Sequence, residues 1–203
     1  MKKYLFNLLT LLTVAAISSG LAACGSDDDD NGGGNGGGGN ATVKVGNQTV
    51  STNHAYWLHA SEADGDWHIQ FCNYDANALY TAAEKEDYQA AYSIIPEKIN
   101  QINIDFVAPG YTGSTLPTGE FDTFVVMIIK DVPRDGSDDG DGYEGIPNGT
   151  TGKLKIEKNG DNYTISYSGV NLYYGDNMKD FWPDTSFSYT GNLTKYIGDE
   201  FYF

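Results

Sequence analysis

Hydrophobic and polar residues alternate along most of the chain from Ala41 onward. Trp67, Ile69 and Phe71 are separated by polar residues, so all three would lie on one face of an extended strand. The same alternation recurs in residues 102–106, 154–156, 163–167 and 187–193. Strands that bury one face and expose the other produce this pattern. The alternation therefore predicts a chain composed mainly of β-strands.

Two segments depart from this alternation. Residues 124–129 are apolar at every position, which is typical of a central strand covered on both faces. Thr81 and Glu84 have the spacing of a capping box, and the segment that follows to about Tyr92 is rich in Ala, Glu, Lys and Gln. The sequence thus predicts one short helix, beginning at Thr81, as the cover of the central strand.

The number and spacing of the strands indicate the fold class. About eight short strands separated by turn signals are typical of a sandwich or a small barrel. We predict an all-β fold, an antiparallel β-sandwich with one short helix. A lipocalin-like β-barrel is the alternative, because its strands show the same alternation.

The first 23 residues have the features of a secretory signal peptide. Lys2 and Lys3 precede an apolar run that extends to about Ala16, and small residues follow before Cys24. The apolar run is too short to span a bilayer of roughly 30 Å. Residues 1–23 are therefore predicted to be removed from the mature protein.

Residues 21–24, Leu-Ala-Ala-Cys, resemble the lipobox of bacterial lipoproteins. The resemblance implies cleavage before Cys24, diacylglycerol on its sulfur and acylation of the new N-terminus, and two or more acyl chains anchor a protein stably. The acidic run 27–30 resembles the surface-export signal of Bacteroidetes-type lipoproteins, which implies a lipid-anchored protein on the outer face of the outer membrane. The alternative is a solvated charge run without an export role, which would leave the protein facing the periplasm.

The remaining chain divides into a tether and a domain. Residues 31–40 are only Gly and Asn, which cannot bury apolar surface, so 24–40 are predicted to be an acylated, flexible tether. Residues 41–203 are predicted to be a single β-rich domain. Residues 116–121, 152–156, 163–165 and 188–193 resemble the small β-rich domains of such surface lipoproteins, a resemblance that implies a fold more than an activity.

Charge and cysteine content restrict the function. The chain has 28 acidic and 12 basic residues, for a net charge of −16, and such a surface repels nucleic acid. Once Cys24 carries lipid, Cys72 has no partner for an intrachain disulfide. A lone cysteine in an apolar strand is usually a small buried hydrophobe.

The acidic segment 135–141 resembles a calcium loop. Asp135, Ser137 and Asp139 stand at positions 1, 3 and 5, Gly140 at position 6 and Asp141 directly after it. The pattern then fails, because position 12 is Ile146 rather than a glutamate. An acidic hairpin loop without a cofactor is the simpler interpretation, and a calcium site is the alternative.

Catalytic motifs are missing. The chain has no nucleophile elbow and no phosphate-binding glycine loop after a strand, and nothing fixes a pair of carboxylates across a cleft. His59 and His68 could meet on adjacent strands to bind zinc, but they lack the usual ligand spacing. We therefore expect a protein that is not an enzyme.

Aromatic residues cluster near Tyr173, Tyr174 and Trp182, with Asp176 and Asn177 between them in a predicted loop. Rings that stack on the apolar faces of sugars, beside carboxylates and amides, would form a glycan-binding platform. The alternative is that the rings anchor a long loop to the core.

Two function classes follow from these observations. The first is a non-catalytic cell-surface binding protein that recognises a glycan or a glycan-bearing partner. The second is a structural or adhesin-like accessory protein of a surface complex. A concave, ring-lined cleft would favour the first class, and a flat face with an exposed edge strand would favour the second.

Overall fold

The alternating segments form eleven strands of one sheet in the computed structural model, which describes residues 38–61, 65–111, 113–135, 140–149, 151–175 and 179–198. The elements in chain order are β1 (Gly38–Val45), β2 (Gln48–Ser61), β3 (Asp66–Cys72), α1 (Ala76–Glu84), α2 (Tyr88–Ile94), β4 (Lys98–Val107), β5 (Gly119–Phe121), β6 (Phe124–Pro133), β7 (Asp141–Pro147), β8 (Lys153–Asn159), β9 (Asn162–Tyr174), β10 (Asp180–Asn192) and β11 (Thr194–Lys195). The prediction of an all-β fold is confirmed. β1 begins at Gly38, inside the segment assigned to the tether, and Cys24 lies outside the described residues.

The sheet is antiparallel and curled. Its strands follow the order β1-β2-β3-β4-β6-β7-β9-β8-β5, with β10 on the other edge of β9 and the short β11 parallel to β2. The long strand β9 pairs with β8 through its first half and with β7 through its second half. β10 comes back against β1, so the sheet forms a half-barrel. This curled single sheet fits the lipocalin-like alternative.

The inner face of the curl holds the main core. Trp67, Ile69 and Phe71 of β3 are fully buried there, as the alternation predicts. Their neighbours on β4 and β6 are also apolar and buried: Ile102, Ile104, Phe106, Phe124, Val126 and Ile128. A second, smaller core lies on the outer face, where Leu79 and Ala82 of α1 pack with Tyr56 of β2 and with Tyr196.

The expectation of a single helix beginning at Thr81 is wrong, because two helices form. The carboxylates of Asp75 and Asp87 accept hydrogen bonds from the backbone amides of Ala78 and Ala90, and so cap α1 and α2. Thr81 lies inside α1, where its hydroxyl donates to the carbonyl of Asn77. Glu86 separates the helices with a left-handed backbone, φ 56°. None of the helices in the described residues could span a membrane.

The expectation that β6 is covered on both faces is only half right. Its inner residues are buried, and Ile129 packs on the core beneath the helices. The helices extend no further along the strand, and Val125 on the outer face is 37% exposed. An apolar part of the outer face therefore stays open to solvent.

Candidate functional site

The aromatic residues at 173, 174, 181 and 182 lie on two paired antiparallel strands rather than in a loop. Tyr173 and Tyr174 end β9, and Phe181 and Trp182 lie near the start of β10. Tyr173 pairs with Phe181 in the register of the two strands. Asp176 and Asn177, the polar residues expected to contact a ligand, lie outside the described residues.

Strand geometry divides the four rings into two pairs, because successive side chains of a strand point to opposite faces. Tyr173 and Phe181 share the outer face, with ring centroids 5.2 Å apart. Tyr174 and Trp182 share the inner face, stacked at 5.6 Å with 19° between their planes. The sequence-based hypothesis expects the rings to line a single cleft. They lie on two opposite faces of the sheet instead.

The inner pair lies where β10 approaches β1. The ring of Trp182 covers Gly46 in the β1–β2 turn, so that a Cβ on Gly46 would lie 2.6 Å from the indole. Tyr143 of β7 is the next ring, 6.3 Å from Tyr174. Trp182 is still 40% exposed, so it contacts both the fold and solvent.

The outer pair belongs to a larger surface of exposed and half-buried residues. Glu144 is the partner of Tyr173 in the register of β7 and β9, and Met127 is the partner of Glu144 in that of β6 and β7. Partners directly opposite in a ladder point to the same face, as do residues two positions apart in one strand. We call this surface the outer strip, and it consists of Val125, Met127, Glu144, Ile146, Tyr173 and Phe181.

Exposure in the outer strip is high for apolar side chains. Ile146 is 46% exposed and Phe181 45%. Of the six large hydrophobic residues that are exposed in the described part of the chain, three belong to the outer strip. Clustered exposed apolar groups mark interaction surfaces, whereas single ones do not.

A polar pair borders the outer strip next to Val125. Asp105 of β4 is the register partner of Val125, and its carboxylate lies 2.6 Å from Nδ1 of His68. Burial lowers the pKa of His68, but the hydrogen bond and the charge of Asp105 outweigh burial and raise the pKa above its usual value. An imidazolium bound to a carboxylate therefore lies at this border over a wider pH range than a free histidine would.

The residues of the calcium hypothesis are described only in part. Asp135 is exposed after β6, and Asp141 begins β7 with its carboxylate 3.9 Å from the ammonium of Lys130. Ser137 and Asp139 lie outside the described residues. The described residues include no cluster of three groups that could hold a metal ion. The calcium site stays a prediction.

Other side chains with reactive groups are buried, hydrogen-bonded or stacked within the fold. Burial raises the pKa of the Cys72 thiol, which donates to the carbonyl of Tyr74. The Tyr56 hydroxyl, beside a groove between the helices, donates to Asp75 at 3.0 Å. His59 stacks on Trp67 at 4.0 Å on the inner face, while His68 points outward, so the two histidines do not meet.

Comparisons with known proteins add no relative. No family model matches this chain, and neither a curated protein nor a solved structure does.

Sequence reasoning missed Val125, Glu144 and Ile146. It assigned residue 146 to a failed calcium loop, although Glu144 and Ile146 belong to strand β7. One signal was available in the sequence, namely the apolar residue Val125 on the solvent side of β6. An apolar residue in that position indicates that the sheet face beside it is uncovered. That signal could be recognised only once β7 was known to lie beside β6, and β9 beside β7.

Proposed function

We propose that this chain is a non-catalytic, lipid-anchored binding protein of the outer-membrane surface that recognises glycans through the β9–β10 hairpin. The observation that carries the proposal is the outer pair of rings, half-buried Tyr173 and exposed Phe181, beside the carboxylate of Glu144. Ring faces pack on the apolar faces of sugars, and a carboxylate accepts hydrogen bonds from sugar hydroxyls. Tyr174 and Trp182 form a second pair on the inner face at the same end of the hairpin.

The proposed location, anchored by lipid at the outer-membrane surface, rests on the sequence of the first 30 residues. We expect Cys24→Ala to abolish fatty-acid labelling and membrane retention, because the thiol that carries the lipid is lost. The measurement is metabolic labelling with a palmitate analogue, followed by membrane fractionation.

Protease treatment of intact cells should release the domain through the Gly/Asn tether. Labelling of the mutant at the wild-type level would exclude the lipobox, and full protection from protease would place the domain in the periplasm.

Glycan recognition can be tested with one ring on the site and one away from it. We expect Phe181→Ala to weaken binding on a glycan array about tenfold, since it removes one stacking surface. Tyr92→Ala is the matched control, because Tyr92 is 40% exposed and lies on α2, under the guanidinium of Arg134. Equal binding by wild type and Phe181→Ala would remove the hairpin from the glycan site.

A structural or adhesin-like accessory protein is the second candidate function. It is favoured by one observation, that the outer strip lies on an open sheet face and includes the aliphatic residues Val125 and Ile146. This function predicts that wild type binds no glycan on the array. It also predicts that a photo-crosslinker at position 181 links to one surface protein on intact cells.

A further inference from the structure

We propose that the outer strip binds an internal segment of an uncharged polysaccharide chain. This inference rests on the glycan-binding function proposed above and names the class of ligand at the same site. Four residues of the strip follow one register line across β6, β7, β9 and β10, namely Met127, Glu144, Tyr173 and Phe181.

The strip has the length to hold more than one sugar. Neighbouring strands lie about 4.8 Å apart, so four strands place Met127 and Phe181 about 14 Å apart. Val125 and Ile146 widen the line at its β6 and β7 end, because each lies two residues along its strand from Met127 or Glu144. A single pyranose ring would cover only part of this surface.

The position of Glu144 favours a saccharide over a protein partner. Its carboxylate lies between Met127 and Tyr173 in the middle of the strip, and no basic side chain of the described residues forms an ion pair with it. A protein surface packed on the strip would bury this charge, which is costly without a partner, and the centres of protein interfaces are depleted in charges. Sugar hydroxyls would instead donate hydrogen bonds to it while the sugar faces pack on the rings.

The charge around the strip favours an uncharged sugar. Glu144 lies in the middle of the strip and Asp184 lies three residues from Phe181 on β10, whereas the Asp105 carboxylate at the border is paired with His68. The whole chain carries a net charge of −16. Polysaccharides with carboxylate or sulfate groups would be repelled by this field.

The open shape of the strip favours the interior of a chain. Val125, Ile146 and Phe181 are each more than one third exposed, so the surface is a platform on the sheet rather than a closed pocket. A pocket selects the end of a chain because it blocks further units. A platform lets the polymer continue past both sides.

The test is affinity electrophoresis of the full lipidated chain in detergent. The uncharged probes are mixed-linkage β-glucan, galactomannan and dextran, and the anionic probes are polygalacturonate and heparin. We expect retardation by an uncharged polymer, and neither anionic polymer should retard the protein. Affinity should rise with oligosaccharide length until the strip is filled.

Two substitutions in β7 test whether binding uses the whole outer strip or only the β9–β10 hairpin. Glu144→Gln and Ile146→Ala should each weaken binding about tenfold, because the first removes the charge of the hydrogen-bond acceptor in the middle of the strip and the second removes apolar surface beside it. Glu120→Gln on β5 and Ile197→Ala, both exposed and away from the strip, are the matched controls and should leave binding unchanged. Thermal melts of all four variants should agree with wild type, as expected for surface positions.

The outcomes distinguish this inference from the proposed function. Loss of binding in Phe181→Ala alone would overturn the strip and leave the glycan-binding hairpin in place. Preference for polygalacturonate or heparin would likewise overturn the uncharged class but not glycan binding. Failure of every glycan to bind, with crosslinking to a protein from position 146, would overturn both.

Discussion

Trp67→Ala is expected to lower the free energy of unfolding by about 3–5 kcal/mol, the range for truncating a large aromatic side chain in a core. Trp67 is fully buried on the inner face of β3. Its ring stacks on His59 at 4.0 Å and lies 5.8 Å from Trp57 and 5.7 Å from Tyr111. Large rings on three sides cannot close the space that the indole leaves. Urea denaturation followed by tyrosine and tryptophan fluorescence measures the loss.

Trp182→Ala is the matched control for this prediction. Its ring is 40% exposed and contacts mainly Gly46 and Tyr174, so we expect a loss of about 1 kcal/mol. This comparison also decides the role of the inner ring pair. A loss in Trp182→Ala as large as in Trp67→Ala would make Trp182 a structural anchor and leave the Tyr174–Trp182 pair without a role in binding.

The strands and their faces could be predicted because both depend on local pattern. In β3 the alternation assigned Trp67, Ile69 and Phe71 to the core, and all three are fully buried. The order of the strands could not be predicted in the same way. β9 pairs with three other strands, and the choice of partner depends on contacts between distant parts of the chain. A sandwich and a curled sheet share the same alternation and differ in which strands pair and in whether they form two sheets or one.

The helices show how two local signals can compete. Thr81 and Glu84 have capping-box spacing, but Asp75 and Asp87 accept the capping hydrogen bonds. Aspartate caps as well as threonine or better, so several residues in this segment were suitable. Packing of Leu79 and Ala82 on Tyr56 selects the frame that begins after Asp75.

The candidate site was predictable in part. Composition alone located the rings of residues 173–182, but the hairpin separates Tyr173 from Tyr174 by strand alternation. The ladder then joins Tyr173 to Glu144, which is 29 positions away in the chain. A surface formed across four strands leaves no contiguous motif, so its members can be found only from the register.

Gly145→Ala is expected to lower the free energy of unfolding by about 1–3 kcal/mol, the cost of forcing extra volume into a packed core. Gly145 lies on the inner face of β7 between β6 and β9. An added Cβ would lie 2.8 Å from Cβ of Val126 and 2.8 Å from Cγ1 of Val170. Both valines are fully buried, so they have no space into which to move. The displaced strand carries Glu144 and Ile146, so binding at the outer strip should weaken as well.

Gly142→Ala in the same strand should have the opposite effect. A Cβ there meets no atom within 4 Å, and neither glycine has the left-handed backbone that alanine avoids. Alanine restricts the unfolded chain, which stabilises the folded state by about 0.4–1 kcal/mol where the native conformation allows it. Paired urea titrations of the two variants should therefore move their midpoints in opposite directions. A midpoint for Gly145→Ala that rises together with that of Gly142→Ala would mean that β7 is not packed between Val126 and Val170, and the register that forms the outer strip would have to be revised.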